Sequence, residues 1–390
     1  MNRYKELRTS GVNPAWMAAL QEALGLPGTG VADIATSDAL VKLLDDAGQH
    51  PRHLLDEKSR LWLKGYFPKL MTVPDTLGPQ DAKDVSRERE VRGAGADAPE
   101  NVAVRKSGQG SSYSDYAKNT LKSGKFLGQP VIAHPEFLAR LENANAYLRS
   151  KAAPGTNDEA IGAQLGITKL SHFRPSGAKS DQMYHGLGFA LDVNPKANNW
   201  SFTKSQSSKL GSVMKNAGDL FGEKTIRSAA DMSRNASKMS TEDLFAKLAE
   251  SNEALKRYRA MAQDTALLEQ HLASEACPAA AKKRGAAWWK STLKKDEKFL
   301  LGRMTDADGK ESKGAGFMDY EKETVTALRD AAGLRWGGAD LGGDSGDLMH
   351  FDGGTMGTAI ALRNATRKAR AEAAAKKADD KAPAGGAPPS

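Results

Sequence analysis

The chain has 390 residues, 39% of them hydrophobic, with a net charge of +8 and an isoelectric point near 9.2. That length accommodates two or three domains with cores of their own, and the modest apolar content fits globular parts joined by polar stretches. A single cysteine, Cys277, excludes an intramolecular disulfide and a cysteine-rich metal site, so any metal would fall to His, Asp or Glu.

The positive charge suggests an anionic partner, whether nucleic acid, a lipid surface or an acidic polymer, and charge alone does not choose among them. The opening MNRYKELRTSGVNPAW has no apolar core and does not read as a signal peptide. No stretch approaches the roughly 18 apolar residues of a transmembrane segment. The expectation is a product made in the cytoplasm without a signal peptide, which another route must carry if its target lies outside.

Asn13-Pro14 reads as a helix start, with Asn as N-cap and Pro in the first turn. Trp16, Leu20, Ala23 and Leu24 then recur at helical spacing. A Gly-broken turn follows, and then a helix capped by Thr36 or Ser37. Residues 1–71 are thus expected to form a small helical module. Its segment QEALGLPGTGVADIATSDALVKLL (Gln21–Leu44) resembles the small helical peptidoglycan-binding repeat, which implies a wall-binding role; an ordinary helical bundle is the competing reading.

From Thr72 to Asn119 the composition shifts to Asp, Arg, Gly, Ser and Pro with almost no apolar periodicity, which predicts a disordered linker over 72–119. Order is expected to resume near Phe126. Pro135 to Lys151 reads as an amphipathic helix with Phe137, Leu138, Leu141 and Leu148 on one face. Leu165–Arg174 alternates like a strand, placing Ser171 and Phe173 opposite His172 and Arg174.

The stretch from Leu170 to Asn194 carries the first chemical signal. Phe189-Ala190-Leu191-Asp192-Val193 is an apolar run with a carboxylate inside it, and burying a lone carboxylate is costly unless it is paired or binds a metal. His185 lies seven residues earlier, and Gly186 and Gly188 allow the backbone to curl so that both side chains reach one point. His and Asp both serve zinc, so a metal site needing a further ligand is one reading; a strand-end Asp capping a turn or meeting an Arg is the other.

Residues 197–316 read as a helical insertion rich in Lys, Ser and Ala. Ser240-Thr241-Glu242-Asp243 marks a helix start, followed by Leu244, Phe245, Leu248, Leu255, Tyr258 and Leu268. Trp288-Trp289 lie among Lys282, Lys283, Arg284, Lys290, Lys294 and Lys295; the expectation is an amphipathic helix packing both Trp against the domain, with binding of an anionic polymer as the alternative. Asp306-Ala307-Asp308-Gly309 begins like a calcium loop but lacks the later acidic ligand and reads as a turn. The end, 366–390, is Ala/Lys-rich and then Pro/Gly-rich, and is expected to be a frayed helix passing into a disordered tail.

DYEKETVTALRDAA (319–332) predicts a helix closed by Gly333. In the following LRWGGADLGGDSGDLMHFDGG, His350 sits in a short apolar strand with Asp347 three residues before it, so the chain must turn at Gly346-Asp347 to bring both side chains to one place. His185, Asp192 and His350 would give two nitrogens and one carboxylate, leaving a fourth zinc position open for water. Asp347 is then placed to serve as general acid/base.

HGLGFALD resembles the His-x-x-Gly-x-Ala-x-Asp motif of zinc D-alanyl-D-alanine carboxypeptidases and of the related L-alanyl-D-glutamate endopeptidases of phage endolysins. LRWGG followed by DLMHF resembles that family's Trp-Gly-Gly and acidic-x-x-His segments. The resemblance spans roughly 126–194 and 318–353. It implies one Zn2+ held by His185, Asp192 and His350, with Asp347 as catalytic acid/base and Arg174 as the cation that steadies a substrate oxygen. It departs from the family at Met183, where Ser is common, and in the long gap between Asp192 and His350. The fold implied is α+β, a small antiparallel sheet with flanking helices forming a peptidase domain over 120–365. The partners implied are peptidoglycan stem peptides. No recognisable nucleic-acid motif points to a specific nucleic acid, and without a signal peptide a delivery apparatus or a holin-type export partner are the open routes to the wall or periplasm. A non-catalytic wall-binding component with a degenerate peptidase fold is the alternative.

Overall fold

The computed structural model describes residues 3–51, 53–76, 99–174, 183–195, 204–222, 238–304, 321–341 and 347–379. Helices dominate, and the sheets are small and antiparallel, in keeping with the expected α+β class.

The first four helices are α1 (Arg3–Thr9), α2 (Pro14–Ala23), α3 (Ile34–Asp46) and α4 (Glu57–Tyr66). Asn13 caps α2 by accepting a hydrogen bond from the Ala15 amide at 2.9 Å. Helix α3 is capped by Asp33, which bonds the Thr36 amide, and not by Thr36 or Ser37 themselves. Leu7, Trp16, Leu20, Leu40, Leu63 and Leu70 form the core of this unit. Buried Gln21 organises the Gly-rich turn, donating to the Val31 carbonyl and Thr36 and accepting from the Gly30 amide.

This N-terminal unit is bolted to the rest of the chain. Arg8 and Arg329, both fully buried, share Asp340 at 2.9 Å each. Arg140 reaches the carbonyls of Thr9, Ser10 and Ala332, where α1 and the 322–331 helix end and their unpaired carbonyls collect. Removing one member of a buried ionic cluster strands the others, so Asp340→Ala is expected to lower unfolding free energy by roughly 3–5 kcal/mol. Urea denaturation checks this, and a loss within error of zero contradicts it.

Two segments correct the expected linker of 72–119. Helices α5 (Pro99–Lys106) and α6 (Tyr113–Asn119) lie inside it. Ser112 caps α6, and Tyr113 and Tyr116, three residues apart on one face, are buried in the main core. Composition hid them because so few residues carry the apolar face. Residues 77–98 of that stretch lie outside the described residues. The helix expected beyond 366 is present as part of α15 (Gly357–Asp379), but it is packed where fraying was expected, running along α5 with Ala103, Val104 and Ala369 buried and Lys106 paired to Glu372. The disorder expected for 380–390 lies outside the described residues.

A hairpin of β1 (Lys122–Phe126) and β2 (Gln129–Ala133) leads into α7 (Pro135–Lys151), whose Phe137, Leu138, Leu141 and Leu148 are buried as their spacing predicted. The strand expected over 165–174 shrinks to β3 (Leu170–Ser171), because α8 (Asp158–Gln164) ends at Leu165 and a Gly166 turn follows. A short helix, α9 (Met183–Gly186), precedes β4 (Ala190–Val193). After the insertion come β5 (Arg335–Trp336) and β6 (His350–Asp352), and the sheet order is β3-β4-β6-β5, all antiparallel.

Alternation along these short strands sorts the side chains. Leu191, Val193, Phe351 and Trp336 share one face, which joins the apolar core built on α7 and the helical run Lys322–Val325 (α14) and its π-helical continuation Thr326–Ala331. Gly333, at φ 68°, ends that run as expected. Ser171, Asp192, His350, Asp352 and Arg335 share the opposite face.

The described part of the expected insertion comprises α10 (Lys204–Phe221), α11 (Thr241–Gln263), α12 (Thr265–Ala273) and α13 (Ala279–Met304). Ser240 caps α11 through the Asp243 amide, as predicted. Leu268, expected on that helix, lies on α12 beyond a break at Asp264. Val213, Leu220, Tyr258, Leu268, Trp289 and Leu293 give these helices a core of their own. Here the expectation that both Trp pack inward is corrected: Trp289 is buried, whereas Trp288 faces outward at 42% exposure. The Asp306–Gly309 turn lies outside the described residues.

Candidate metal centre

Cross-strand pairing builds the site. Asp192 on β4 lies directly opposite His350 on β6, so pleating alone brings their side chains to the same face. His185 arrives from α9, and the chain between it and β4 reverses through Gly188 at φ 73°, a left-handed conformation. A Cβ on Gly188 would sit 2.6 Å from Leu121 and 2.9 Å from the His134 amide, so the curl also depends on close packing. Tyr113 and Tyr116 of α6 donate to the Gly186 and Leu187 carbonyls and hold this loop from behind.

The three predicted ligands converge. His185 Nε2 lies 3.0 Å and His350 Nδ1 3.1 Å from the same oxygen of Asp192, Oδ1. One donor atom from each residue lies within 4.8 Å of the others, and all three are buried. Two nitrogens and one carboxylate oxygen at such spacing match the donor set of a zinc site with an open position.

The electrostatics point to a missing positive charge. His185 donates from Nδ1 to the His172 carbonyl at 3.0 Å, so in its neutral form the Nε2 lone pair faces a carboxylate oxygen. A second proton on the ring or a cation between the two atoms relieves that repulsion. Burial would raise the Asp192 pKa, but hydrogen bonds and charge from His185 and His350 hold it well below the ordinary carboxylate range. Burial would lower the His350 pKa, yet Asp192 and Asp352 together push it up to about 10. A metal taking Nδ1 would therefore displace a proton, as metal ligands generally require.

Arg174 is drawn into the same cluster. Its side chain donates to Ser171 Oγ and forms an ion pair with Asp192 Oδ2. The expected opposition of Ser171 and Arg174 across a strand fails because β3 ends at Ser171, freeing Arg174 to fold back. The Arg174 Nη1 donors have no partner among the described residues, and the side chain is 32% exposed. His172, the other residue singled out on that strand, contributes its backbone carbonyl to His185 and accepts the Ile132 amide on its ring Nδ1.

Asp347 stands at the edge of the site. The predicted turn closes from Asp347 to His350, whose amide donates to the Asp347 carbonyl at 3.1 Å. Gly337 of the Trp-Gly-Gly segment permits this, since a Cβ there would lie 1.9 Å from that carbonyl. The Asp347 carboxylate oxygen Oδ1 is buried without a hydrogen-bond partner among the described residues. Burial pushes its pKa up to about 6, with His350 and Arg174 opposing and Asp192 and Asp352 adding to the rise.

One residue of the cluster escaped the sequence reading. Asp352 accepts from His350 Nε2 at 3.2 Å and binds Arg335 through both oxygens at 2.7 and 2.8 Å. It fixes the ring so that Nδ1 faces Asp192. The clue was available: a carboxylate two residues beyond a strand histidine shares its face. Such outer partners orient metal-binding rings and are worth about 10–100-fold in metal affinity. Asp352→Asn is expected to weaken zinc binding by that factor, read by titration against a competing chelator; unchanged affinity would remove Asp352 from the site.

Compared with family models, curated proteins and solved structures, the chain has no match to any of them.

Proposed function

We propose that the chain is a zinc-dependent peptidase that cleaves a peptide bond next to a D-amino acid in the stem peptides of peptidoglycan. The observation that carries this reading is the buried convergence of His185, Asp192 and His350 beside a carboxyl, Asp347, whose proton affinity is raised toward neutrality. The donor set, and an Asp347 oxygen buried with no hydrogen-bond partner among the described residues, fit a divalent cation. The substrate class rests on the resemblance of HGLGFALD and DLMHF to D-alanyl-D-alanine carboxypeptidases and endolysin endopeptidases.

His185, Asp192 and His350 would hold the ion. Bound there, zinc would polarise the scissile carbonyl and make a nearby water more acidic. Asp347, with a pKa near 6, takes a proton from the attacking water and returns it to the leaving amine. Arg174 offers its unpaired Nη1 donors to the substrate oxygen on which negative charge develops. Ser171 and Asp192 hold the guanidinium in place for that task.

Mass spectrometry of muropeptides digested by the purified, zinc-loaded protein tests the proposal. New amino and carboxyl ends at one stem-peptide bond are expected, and the masses identify the bond. Intact muropeptides from protein carrying stoichiometric zinc refute it.

A further inference from the structure

The insertion concentrates the chain's charge in one helix. The 26 residues of α13 hold eight Lys or Arg against two carboxylates, Asp296 and Glu297, a net +6 of the chain's +8. Its inward positions Ala281, Trp289 and Leu293 are consumed by the insertion's own core. Asp296 is tied inward as well, accepting from Tyr258 and Asn216.

What remains outward is basic. Lys282, Lys283, Arg284, Lys290, Lys294 and Lys295 are all exposed. Arg284 pairs with Asp219 and Lys290 with Glu269. The other four lysines have no ion-pair partner among the described residues. Gly285, at φ 77° and ψ 159°, kinks α13, so Lys282, Lys283 and Arg284 precede the kink, while Lys290, Lys294 and Lys295 follow it and fan over about 140° of the longer helical segment's circumference. The exposed cations stand on both sides of that kink.

The exposed aromatic narrows the choice of partner. Trp288 has Arg284 over its ring at 4.7 Å and meets Trp289 edge to face at 4.7 Å. One exposed aromatic with a guanidinium already over its ring is not the row of platforms on which successive nucleobases stack. It presents an exposed indole amid lysines, a combination suited to the headgroup layer of a bilayer.

We propose that the outward face of α13 docks the protein on an anionic phospholipid membrane surface. The contact is electrostatic adsorption with Trp288 at headgroup depth; the apolar side of the helix stays in its own core. No described helix is long and apolar enough to cross a membrane, so the docking is peripheral. The proposal stands apart from the peptidase reading, because it concerns a different element and needs no cleavage.

The test is co-sedimentation of the full chain with vesicles of phosphatidylcholine alone and with a third phosphatidylglycerol. Binding only to the anionic vesicles is expected, falling steeply as salt is raised from 50 to 500 mM. Each basic residue near an anionic surface contributes about a fivefold factor, so Lys282→Ala, Lys283→Ala, Lys294→Ala and Lys295→Ala combined should reduce partitioning by on the order of several hundredfold. Trp288→Ala alone should weaken it further without changing its salt dependence. All five positions are exposed, and circular dichroism confirms that the variants keep their helices. Absence of vesicle binding overturns the proposal, as does binding that the lysine variant leaves unchanged. Binding to duplex DNA with no binding to vesicles overturns it in favour of a nucleic-acid partner. Cleavage of soluble muropeptides by the lysine variant should match the parent protein, so failure here and failure of the peptidase reading are separately visible.

Discussion

Asp192→Ala is expected to abolish zinc binding and muropeptide cleavage together. Asp192 is the only carboxylate of the three converging donors, and both histidines and Arg174 meet it. Its removal leaves positively charged or charge-seeking groups facing one another across the place where a cation would sit. Loss of a metal's charge stabilisation is worth several kcal/mol, so activity should fall by on the order of a thousandfold or more. Elemental analysis of the purified variant should find no bound zinc. Undiminished cleavage by zinc-free Asp192→Ala protein would sink the assignment. Chelation of the parent protein should silence it reversibly, and zinc added back should release about one proton per ion at neutral pH, because His350 carries a proton there until a metal takes its Nδ1. Calorimetry in buffers of different ionisation enthalpy reads that proton directly.

Much of this site was legible in the sequence because it is built from short-range rules. An Asp inside an apolar strand, a His seven residues earlier and two glycines between them sufficed to place His185 beside Asp192. The later pair, Asp347 and His350, needed only a turn, and the backbone supplies it within four residues. What strand alternation misjudged was Arg174, because the alternation of 165–174 was real in the letters but the strand covers two residues. Tyr113 and Tyr116 were missed for another reason. Their segment buries few apolar residues and so resembles a linker, yet each tyrosine spends its hydroxyl on a carbonyl of the loop that carries His185. The union of the N-terminal unit with the rest was also illegible, since Arg8, Arg329 and Asp340 are far apart in sequence and charged residues read as surface until a partner is known.

Asp347→Asn separates chemistry from metal binding and reverses the usual sign of a substitution on stability. Asp347 is not among the converging donors, so the variant should bind zinc like the parent while cleavage falls by about 10²–10⁴-fold, the usual worth of a positioned acid/base. The folded-state pKa of about 6 lies above the ordinary 3.8, so the folded protein holds this proton more tightly than the unfolded chain does. In the metal-free protein, stability contributed by this group is therefore intact below about pH 4, declines as pH rises to about 6, and stays low above that. The full difference is about 3 kcal/mol. An amide cannot ionise, so the metal-free variant should escape the decline and be more stable than the parent at pH 7 by up to that amount. Parent activity should rise with pH along a limb centred at or below 6, because a bound cation favours the ionised carboxylate. Urea denaturation at pH 4 and pH 7, with and without chelator, gives the stability comparison. A variant destabilised more at pH 7 than at pH 4 would show that Asp347 is held by partners in its charged form, and would remove the raised proton affinity on which its acid/base role rests.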